Sequence, residues 1–420
     1  MEKLVIEGGK KLQGEISISG SKNSVLPILA ATLLTDEPCV IRNVPKLRDV
    51  STMVKLLRSL GKTAEIEKDT IVVSSKGNLN YVADYKLVST MRGSFCVLGP
   101  LLTKLGIAKV SLPGGCVIGV RPVDLHLKGL KALGAKMEVE GGYIIARSKK
   151  LKGSHMYLGG VFGSSVLATA NIMMAATLAQ GETVIDSAAC EPEVEDLADF
   201  LINMGAKIKG HGSPCITVTG VKKLRGTEYK VIPDRIEAGS FILLGLATRS
   251  NLLLKNVRLN HLSALIDKLG EAGVKLKEEG NSLRVKHEKS IHPVSITTHP
   301  YPGFPTDLQA QFMALMAVTP GVSIISDKVY PDRFIHIAEL NRMGANIRRE
   351  GINSVVEGVK HLYGAPVMAS DLLASAALLI AGLAAKGSTE IHRIYHLDRG
   401  YEAMDEKLAK IGARVHREKE

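Results

Sequence analysis

The chain contains no tryptophan and few other aromatic residues, with ten tyrosines and seven phenylalanines among 420 residues. Lys and Arg exceed Asp and Glu by 54 to 42, a net charge of +12, yet the positive charges form no run of five or more. Nucleic-acid-binding surfaces usually combine basic clusters with aromatic rings for base stacking. The composition therefore argues against nucleic acid and favours a small polyanionic ligand.

Cysteine is scarce, and its spacing excludes common uses of the residue. No Cys-x-x-Cys pair occurs, and the number is odd, so neither a disulfide framework nor a zinc site is indicated. The five cysteines are Cys39, Cys96, Cys116, Cys190 and Cys215. We therefore predict no metal and, with no signal peptide before the first strand, a reducing cytoplasmic location.

Long hydrophobic runs are also missing. The longest apolar helical stretch, residues 372–385, has 14 residues, whereas a membrane-spanning helix needs about 20. The sequence predicts no membrane partner.

What the sequence does contain is a repeat. Six times a helical stretch ends in an apolar residue followed by Gly, usually Ala, and an alternating strand. The repeat glycines, spaced by 73, 71, 68, 71 and 68 residues, are Gly61, Gly134, Gly205, Gly273, Gly344 and Gly412. Each is expected to end a helix with positive φ, so the chain is predicted to hold six copies of one design.

Each repeat contains two kinds of helix. One is apolar nearly all round, as a buried helix is, and the other keeps charged residues on one side. The apolar stretches are residues 25–34, 95–105, 166–179, 241–247, 309–318 and 372–385. After each repeat glycine come two short alternating runs, so a repeat should read strand, buried helix, strand, amphipathic helix, strand, strand.

Helices inside and sheets outside define an α/β fold of inside-out barrels, or α/β prisms. Three βαβαββ repeats would close one barrel, so six predict two. We place the first domain at residues 22–231 and the second at 1–21 with 232–420. A double-strand hinge would join them, with the active site in the interdomain cleft.

The richest loop spans residues 112–122 and contains Cys116 and Arg121 among three glycines and two prolines. A nearby cation stabilises a thiolate, so this thiol can act as an acid or nucleophile. An ordinary buried thiol is the alternative, which the glycine-rich context disfavours. The loop is predicted to act as a lid.

Other candidates lie at helix starts. Lys22 would reinforce the anion site at a helix N-terminus, although a solvated residue at a helix start is an equally ordinary role. Asp307 follows a proline, and with Thr306 expected to cap the helix it could accept a proton.

We interpret three further polar residues near helix starts in different ways. Ser370 is expected to act as a cap. Arg399 is a plausible clamp for carboxylate or phosphate, whereas Arg333 reads as a solvated charge.

Together these segments resemble the enolpyruvyl transferases along essentially the whole chain. The matching segments are residues 18–23, 113–126, 233–237, 304–311 and 393–402. The cysteine loop with its Arg-Pro-Val-Asp-Leu-His continuation is the most specific part. It resembles the branch that acts on UDP-N-acetylglucosamine, because the shikimate-pathway branch is not expected to carry that thiol.

The resemblance implies an activity. The enolpyruvyl group of phosphoenolpyruvate would pass to the 3-hydroxyl of UDP-N-acetylglucosamine with release of phosphate. The reaction would proceed by addition–elimination without metal or cofactor. It would be the first committed step of peptidoglycan precursor synthesis. The enzyme of that branch is the target of fosfomycin.

The resemblance also implies residue roles. Cys116 would protonate C3 of phosphoenolpyruvate and Asp307 would take the hydroxyl proton. The other implied catalytic residues are Lys22, Arg399 and Asp371. Phosphoenolpyruvate would contact Lys22, Asn23, Arg92, Arg121 and Arg399. UDP-N-acetylglucosamine would contact Asn23, Arg92, Arg121, Pro122, Val123, Asp124, Leu125, Ser165, Val166, Asp307 and Val329.

Two departures from the family pattern leave alternatives open. Leu373 stands where the family has an arginine, and residues 159–167 lack an expected lysine and carry Leu167 in place of a glycine. A transferase acting on another acceptor is one alternative. A catalytically inactive regulator that binds a sugar nucleotide is another, against which the retained Cys116 and Asp307 speak.

Overall fold

A computed structural model describes residues 2–113, 123–286 and 290–419, and these residues divide into two compact units. The first unit comprises residues 20–113 and 123–232. The second comprises residues 2–19, 233–286 and 290–419. The chain passes from one to the other between Ser19 and Gly20 and again between Ile232 and Pro233.

The described residues form thirteen α-helices, numbered in chain order. They are α1 (Lys22–Ala31), α2 (Arg48–Ser59), α3 (Tyr85–Val88), α4 (Leu98–Leu105), α5 (Asp124–Ala132), α6 (Val166–Ala176), α7 (Pro192–Asn203), α8 (Arg235–Ala247), α9 (Ser263–Glu271), α10 (Gln309–Ala317), α11 (His336–Arg342), α12 (Leu372–Ala384) and α13 (Met404–Lys410). Short 3₁₀ helices cover Thr32–Leu34, Arg92–Val97, Leu259–Leu262, Thr306–Leu308 and Ile394–Arg399.

The same part of the chain forms twenty-four strands. They are β1 (Glu2–Glu7), β2 (Gln13–Ser17), β3 (Cys39–Arg42), β4 (Lys62–Glu67), β5 (Thr70–Ser75), β6 (Val82–Ala83), β7 (Ile107–Ser111), β8 (Lys136–Glu140), β9 (Tyr143–Arg147), β10 (His155–Tyr157), β11 (Glu182–Asp186), β12 (Lys207–Lys209), β13 (Cys215–Thr219), β14 (Glu228–Lys230), β15 (Asn251–Lys255), β16 (Lys277–Glu278), β17 (Ser282–Lys286), β18 (Ile296–Thr298), β19 (Gly321–Asp327), β20 (Asn346–Glu350), β21 (Asn353–Gly358), β22 (Pro366–Met368), β23 (Ser388–His392) and β24 (Arg414–Lys419).

Each unit is built from three four-stranded sheets of one topology. The first unit has the strand orders β14-β3-β5-β4, β6-β7-β9-β8 and β10-β11-β13-β12, and the second has β2-β15-β17-β16, β18-β19-β21-β20 and β22-β23-β1-β24. In every sheet the first two strands pair parallel and the remaining pairs are antiparallel. The predicted six repeats are confirmed, and five of them follow the predicted element order, whereas the sixth has one strand, β24, after its amphipathic helix α13.

Three sheets take a strand from a distant part of the chain. β14 leads the sheet of the first repeat, β2 leads the sheet of the fourth, and β1 fills the last sheet between β23 and β24. Leu4, for example, pairs with Ile391 on one side and Arg417 on the other. β2 ends shortly before the chain passes into the first unit, and β14 ends shortly before it passes into the second. Each crossing segment is therefore anchored in a sheet of the unit that it leaves.

The buried helices form the cores. α1, α4 and α6 pack in the first unit and α8, α10 and α12 in the second, with side chains buried on nearly every face. The six repeat glycines all have positive φ, between 83° and 102°, which confirms their predicted role. Because each buried helix precedes the second strand of its sheet, the helix starts within a unit occupy equivalent positions.

Candidate functional site

The candidate residues lie mostly at the starts of buried helices. In the first unit, Lys22 and Asn23 begin α1, Arg92 begins the 3₁₀ turn before α4, and Val166 begins α6. In the second unit, the equivalent positions hold Asp307, in the 3₁₀ turn before α10, and Asp371, the N-cap of α12. Helix starts supply unbonded N–H groups and the positive end of the helix dipole.

Three candidates, Cys116, Arg121 and Pro122, lie outside the described residues. Each of the other four thiols has its pKa raised. Burial is the main cause for Cys39, for Cys96, whose pKa rises to about 12, and for Cys190. For Cys215 the main cause is a hydrogen bond with Asp186. None of these four described thiols is favoured to ionise near neutral pH.

Lys22 sits close to an acidic side chain of α2. Its Nζ lies 3.9 Å from Oδ2 of Asp49, and both side chains are largely buried. Asp49 is in the first turn of α2, where a carboxylate is stabilised by the helix dipole. The ammonium group is thus held at the start of α1 by a partner from the same repeat.

Close to Arg92 lies a buried polar group, formed by His126 and Asn171, that was not predicted from the sequence. His126 on α5 packs edge-on against Phe95, with ring centroids 5.0 Å apart. Burial, reinforced by Arg92, lowers the pKa of His126 to about 3. Asn171 on α6 donates to the carbonyl of Phe95 at 3.1 Å and lies 3.0 Å from His126 Nδ1. The imidazole is therefore neutral, with Nδ1 accepting from the amide.

This group supports the start of α5, which holds candidates Val123, Asp124 and Leu125. The amide of Asn171 is fixed in turn, because its Oδ1 accepts the N–H of Gly99 at 2.6 Å. The histidine of the cysteine-loop motif thus ties α5 to α4 and α6. An asparagine within an apolar helical stretch was the available signal, since a buried amide requires partners.

The segment before α6 departs from the family pattern and forms a tight turn. Gly160 and Gly163 exchange backbone hydrogen bonds at 2.8 and 3.1 Å, which leaves Val161 95% and Phe162 52% exposed. Ser165 then caps α6 by accepting the N–H of Ala168 at 3.3 Å.

In the second unit, Asp307 is paired with a buried arginine. Nη1 of Arg333 donates to Oδ1 of Asp307 at 2.8 Å and to Oγ1 of Thr306 at 3.1 Å. Thr306 donates to Oδ2 of Asp327 at 2.7 Å, and Asp327 is fully buried. Oδ1 of Asp327 accepts the N–H of Val329 at 3.0 Å. Candidates Asp307 and Val329 therefore belong to one hydrogen-bonded network.

Two expectations about this region were wrong. Thr306 does not cap a helix, because its hydroxyl is used between Arg333 and Asp327. Arg333 is not a solvated charge, since its side chain is 7% exposed. The neighbouring Tyr330 was a usable signal: guanidinium groups stack on aromatic rings, and Cζ of Arg333 lies 5.4 Å from this ring centroid.

Asp371 has a structural role in addition to any chemical one. Its Oδ1 accepts the N–H groups of Leu373 and Ala374 at 2.8 and 3.1 Å, which caps α12. The expectation that Ser370 is the cap was wrong, since the cap falls one residue later. Leu373, at the position where the resemblance led us to expect arginine, is 2% exposed and packs in the second core.

A neutral histidine, His336, lies near Asp371 and Arg333. Burial lowers the pKa of His336 to about 4, an effect that Asp371 opposes and Arg333 reinforces. Burial and then Arg399 lower the pKa of His396 in the same way. These electrostatic links place Arg399 near His396 and place His336 near Arg333 and Asp371.

Other carboxylates in this region form ion pairs and hydrogen bonds that hold structural elements together. Arg417 forms a two-pronged pair with Asp398, at 3.0 and 2.7 Å, and also binds Asp405 at 3.0 Å. Ser19, the last residue before the first crossing, donates its N–H to Glu237 at 2.8 Å and its hydroxyl to Glu402 at 2.6 Å. The end of β2 is thereby tied to α8 and to the segment after Arg399.

One cavity within the described residues contains none of the candidates. It has a volume of about 680 Å³, lies in the first unit near the ends of α1 and α4, and is lined by Lys104, Lys149, Lys150, Lys222 and Lys223 among others. Across residues 2–113, 123–286 and 290–419, no group of three or more His, Cys, Asp or Glu side chains is arranged to hold a metal. The same residues include no helix of the length and hydropathy needed to cross a membrane.

This fold and this set of helix-start residues define an enolpyruvyl transferase. The family model for EPSP synthase (3-phosphoshikimate 1-carboxyvinyltransferase) matches residues 6–408, so the chain belongs to that family. Within the family, the chain is similar over its full length to proteins named UDP-N-acetylglucosamine 1-carboxyvinyltransferase. It is 51% identical to that of Methylacidiphilum infernorum over 417 residues, 99% of both chains. It is 52% identical to that of Nitratidesulfovibrio vulgaris (strain Hildenborough) over 421 residues, 100% of both.

Solved structures agree on the fold. The enolpyruvyl transferase NikO from Streptomyces tendae superposes with a TM-score of 0.90 at 24% identity, covering 99% of this chain and 98% of NikO. An EPSP synthase from Acinetobacter baumannii gives a TM-score of 0.78 at 18% identity, with both chains fully covered. The predicted fold class of two inside-out α/β barrels is confirmed.

Proposed function

We propose that this chain transfers the enolpyruvyl group of phosphoenolpyruvate to the 3-hydroxyl of UDP-N-acetylglucosamine and releases inorganic phosphate. The observation that carries the proposal is identity of 51 to 52% along the whole chain to enzymes bearing that name. The retained Cys116, Asp307 and Lys22 support it. The reaction would take place in the cytoplasm as the first committed step of peptidoglycan precursor synthesis.

The first half of the reaction is an addition. The sugar oxygen forms a bond to C2 of phosphoenolpyruvate while its proton passes to Asp307. The Cys116 thiol gives a proton to C3, so the double bond becomes a methyl group attached to a tetrahedral carbon. General acid–base catalysis of this kind contributes about 10² to 10⁴-fold to the rate.

The second half is an elimination. A proton passes from the C3 methyl group to the Cys116 thiolate, the C2–C3 double bond re-forms, and the C2–O bond to phosphate breaks while Asp307 gives its proton to the departing phosphate. Atoms and charge balance: the acceptor has gained the enolpyruvyl group, and phosphate has left with its bridging oxygen.

Cationic side chains would stabilise the anionic groups of both substrates. Lys22, Arg92, Arg121 and Arg399 are assigned to the phosphate and carboxylate of phosphoenolpyruvate. Lys22 and Arg92 lie at helix-start positions, where the helix dipole adds a favourable contribution for an anion. Preorganised positive charge at a site of developing negative charge is often the largest single catalytic contribution.

We assign the nucleotide sugar to residues near helix starts and turns. They are Asn23, Val123, Asp124, Leu125, Ser165, Val166, Asp307 and Val329. In the first unit Ser165 and Val166 begin α6, and Asp124 and Leu125 begin α5. Because the turn before Ser165 departs from the family pattern, acceptor choice is the feature of the proposal that an experiment should address first.

The test is release of inorganic phosphate from phosphoenolpyruvate in the presence of single acceptors. UDP-N-acetylglucosamine, UDP-glucose, uridine 5′-monophosphate and shikimate 3-phosphate form a suitable panel. We expect phosphate release with UDP-N-acetylglucosamine and a product heavier by one enolpyruvyl group. Release with a different acceptor would favour a transferase of other specificity, and no release with tight sugar-nucleotide binding would favour the inactive regulator.

A further inference from the structure

We propose that Arg333 positions Asp307, the assigned base, and that one buried carboxylate, Asp327, couples this base to the backbone that meets the nucleotide sugar at Val329. The inference rests on the proposed function and adds a positioning residue to it. The chain of contacts runs from Asp307 through Arg333 and Thr306 to Asp327, and then to Val329.

Arg333 differs from an ordinary surface ion-pair partner. Its side chain is 7% exposed, whereas that of Asp307 is 33% exposed, so the cation is fixed and the carboxylate reaches solvent. A buried guanidinium group is strongly disfavoured unless it is paired and hydrogen-bonded. Arg333 therefore has little freedom to release Asp307, and the carboxylate inherits its orientation from the core.

The hydrogen-bond pattern also fixes the orientation of Thr306. Its hydroxyl proton goes to Asp327 at 2.7 Å, so its lone pair faces Nη1 of Arg333 at 3.1 Å. A charged acceptor on one side and a charged donor on the other make both bonds stronger than neutral ones. The hydroxyl of Thr306 thus connects Asp327 to Arg333, and Arg333 in turn binds Asp307.

Asp327 connects this arrangement to the sugar-binding segment. Its Oδ1 accepts N–H groups of Val329 at 3.0 Å and Tyr330 at 2.7 Å, and the hydroxyl of Thr298 at 2.7 Å. Asp327 ends β19 and Thr298 ends β18, which pairs parallel with it. The turn after β19 and the start of α10 are consequently held to the same sheet end.

This geometry has a chemical consequence for the base. Arg333 donates to Oδ1 of Asp307, so the guanidinium group fixes the direction in which the carboxylate meets the proton it is to accept. A change in Arg333 should therefore alter the chemical step more than substrate binding.

The experiment compares Arg333→Ala, Arg333→Lys and Thr306→Val with the wild type in steady-state phosphate release. For Arg333→Ala we expect kcat to fall by roughly 10²-fold, the size of effect caused by a reacting group misplaced by about 1 Å. KM for UDP-N-acetylglucosamine should change less than about threefold, because binding contacts remain. Guanidinium chloride at low concentration should restore part of the lost kcat of Arg333→Ala.

Arg333→Lys and Thr306→Val provide second variants if Arg333→Ala does not fold, as judged by thermal melting. Lys keeps the charge and lacks the planar fork, so kcat should lie between wild type and alanine. Arg284→Gln is the matched control: Arg284 makes a two-pronged pair with Glu279, at 2.9 Å for both bonds, on β17 of the same unit. The control should leave both kinetic constants unchanged.

The outcomes separate the inference from the function on which it rests. A wild type that releases no phosphate from phosphoenolpyruvate with UDP-N-acetylglucosamine contradicts the proposed function. An active wild type with a folded Arg333→Ala of normal kcat overturns the inference alone. An Arg333→Ala variant with a raised KM, an unchanged kcat and no rescue by guanidinium also overturns the inference. That pattern would mean that Arg333 contributes to binding of the substrate and not to the chemical step.

Discussion

The two compact units share one architecture but hold their candidate residues differently. In the second unit, Asp307 and Val329 belong to one network anchored on the buried Asp327. In the first unit, Lys22 rests on a longer 3.9 Å contact with Asp49. The second unit thus orients a carboxylate through hydrogen bonds of 2.7 to 3.1 Å, and the first unit holds an ammonium group beside a carboxylate.

The difference matches what each group must do. A base must meet one proton in one direction, so its orientation limits the rate. Cations that neutralise phosphate and carboxylate act over several ångströms, so they tolerate freer side chains. The two units are thus copies of one fold whose helix starts hold different side chains, Lys22 in the first unit and Asp307 in the second.

The largest effect is expected from removal of the Cys116 thiol. Cys116→Ser should lower turnover by about 10² to 10⁴-fold, because a hydroxyl is a much weaker acid. Binding of UDP-N-acetylglucosamine, measured by calorimetry, should persist. The measurement is phosphate release, with Cys215→Ser as a control that stays active.

A labelling experiment sharpens the same prediction. The pKa values of Cys39, Cys96, Cys190 and Cys215 are all raised, so Cys116 should react first with the epoxide fosfomycin. Peptide mapping that found Cys190 or Cys215 modified before Cys116 would count against the acid role.

The next effect concerns the base. Asp307→Asn keeps the shape and an acceptor for Arg333 but cannot take a proton, so kcat should fall by about 10² to 10⁴-fold. Affinity for the nucleotide sugar should change far less. A variant with normal turnover would remove Asp307 from the mechanism and leave Arg333 as a purely structural partner.

Asp371 allows capping and chemistry to be separated. Asp371→Ala should destabilise the protein by about 0.5–2 kcal/mol, since it removes an N-cap. Asp371→Asn keeps the cap, because its side-chain oxygen still accepts the N–H groups of Leu373 and Ala374. Stability is read from chemical denaturation and activity from phosphate release. Normal stability with reduced kcat in Asp371→Asn supports a chemical role, and full activity would restrict Asp371 to capping.

The smallest expected effect is a pH dependence of stability. Burial lowers the pKa of His126 to about 3 and that of His336 to about 4, from an ordinary 6.5. The unfolded chain therefore takes up protons near pH 6.5 that the folded chain binds at much lower pH. The free energy of unfolding should fall as the pH drops below about 6.5.

His126→Gln and His336→Gln test this in the two units separately. Each variant should show a flatter decline of melting temperature between pH 6.5 and 4.5 than the wild type. A decline identical to that of the wild type would show that the histidine is not neutral and buried in solution.

Much of the fold was readable from the sequence because it repeats. The repeat glycines, such as Gly134 and Gly344, need positive φ, and the apolar stretches mark buried helices irrespective of tertiary context. What the sequence did not reveal is which distant strand completes a sheet, as β14 does beside β3. Partner choice across more than 180 residues leaves no local pattern.

The candidate site was less readable than the fold. Asp307 was visible because a carboxylate after a proline at a helix start is unusual, but its partner Arg333 was taken for a solvated charge. Burial of a charged residue depends on distant partners, here Asp307 and Thr306, which spacing does not disclose. Thr306 and Ser370 were misread for a related reason: several hydroxyls and carboxylates near one helix start compete for one capping position.

The most direct test of the account is the position of deuterium in the product formed in D₂O. If the Cys116 thiol protonates C3 and a methyl hydrogen is lost afterwards, the enolpyruvyl CH₂ of the product should carry solvent deuterium, seen by mass spectrometry. The account predicts this label in product made from phosphoenolpyruvate and UDP-N-acetylglucosamine. Product formed at full rate without deuterium would contradict addition–elimination and, with it, the proposed roles of Cys116 as acid and Asp307 as base.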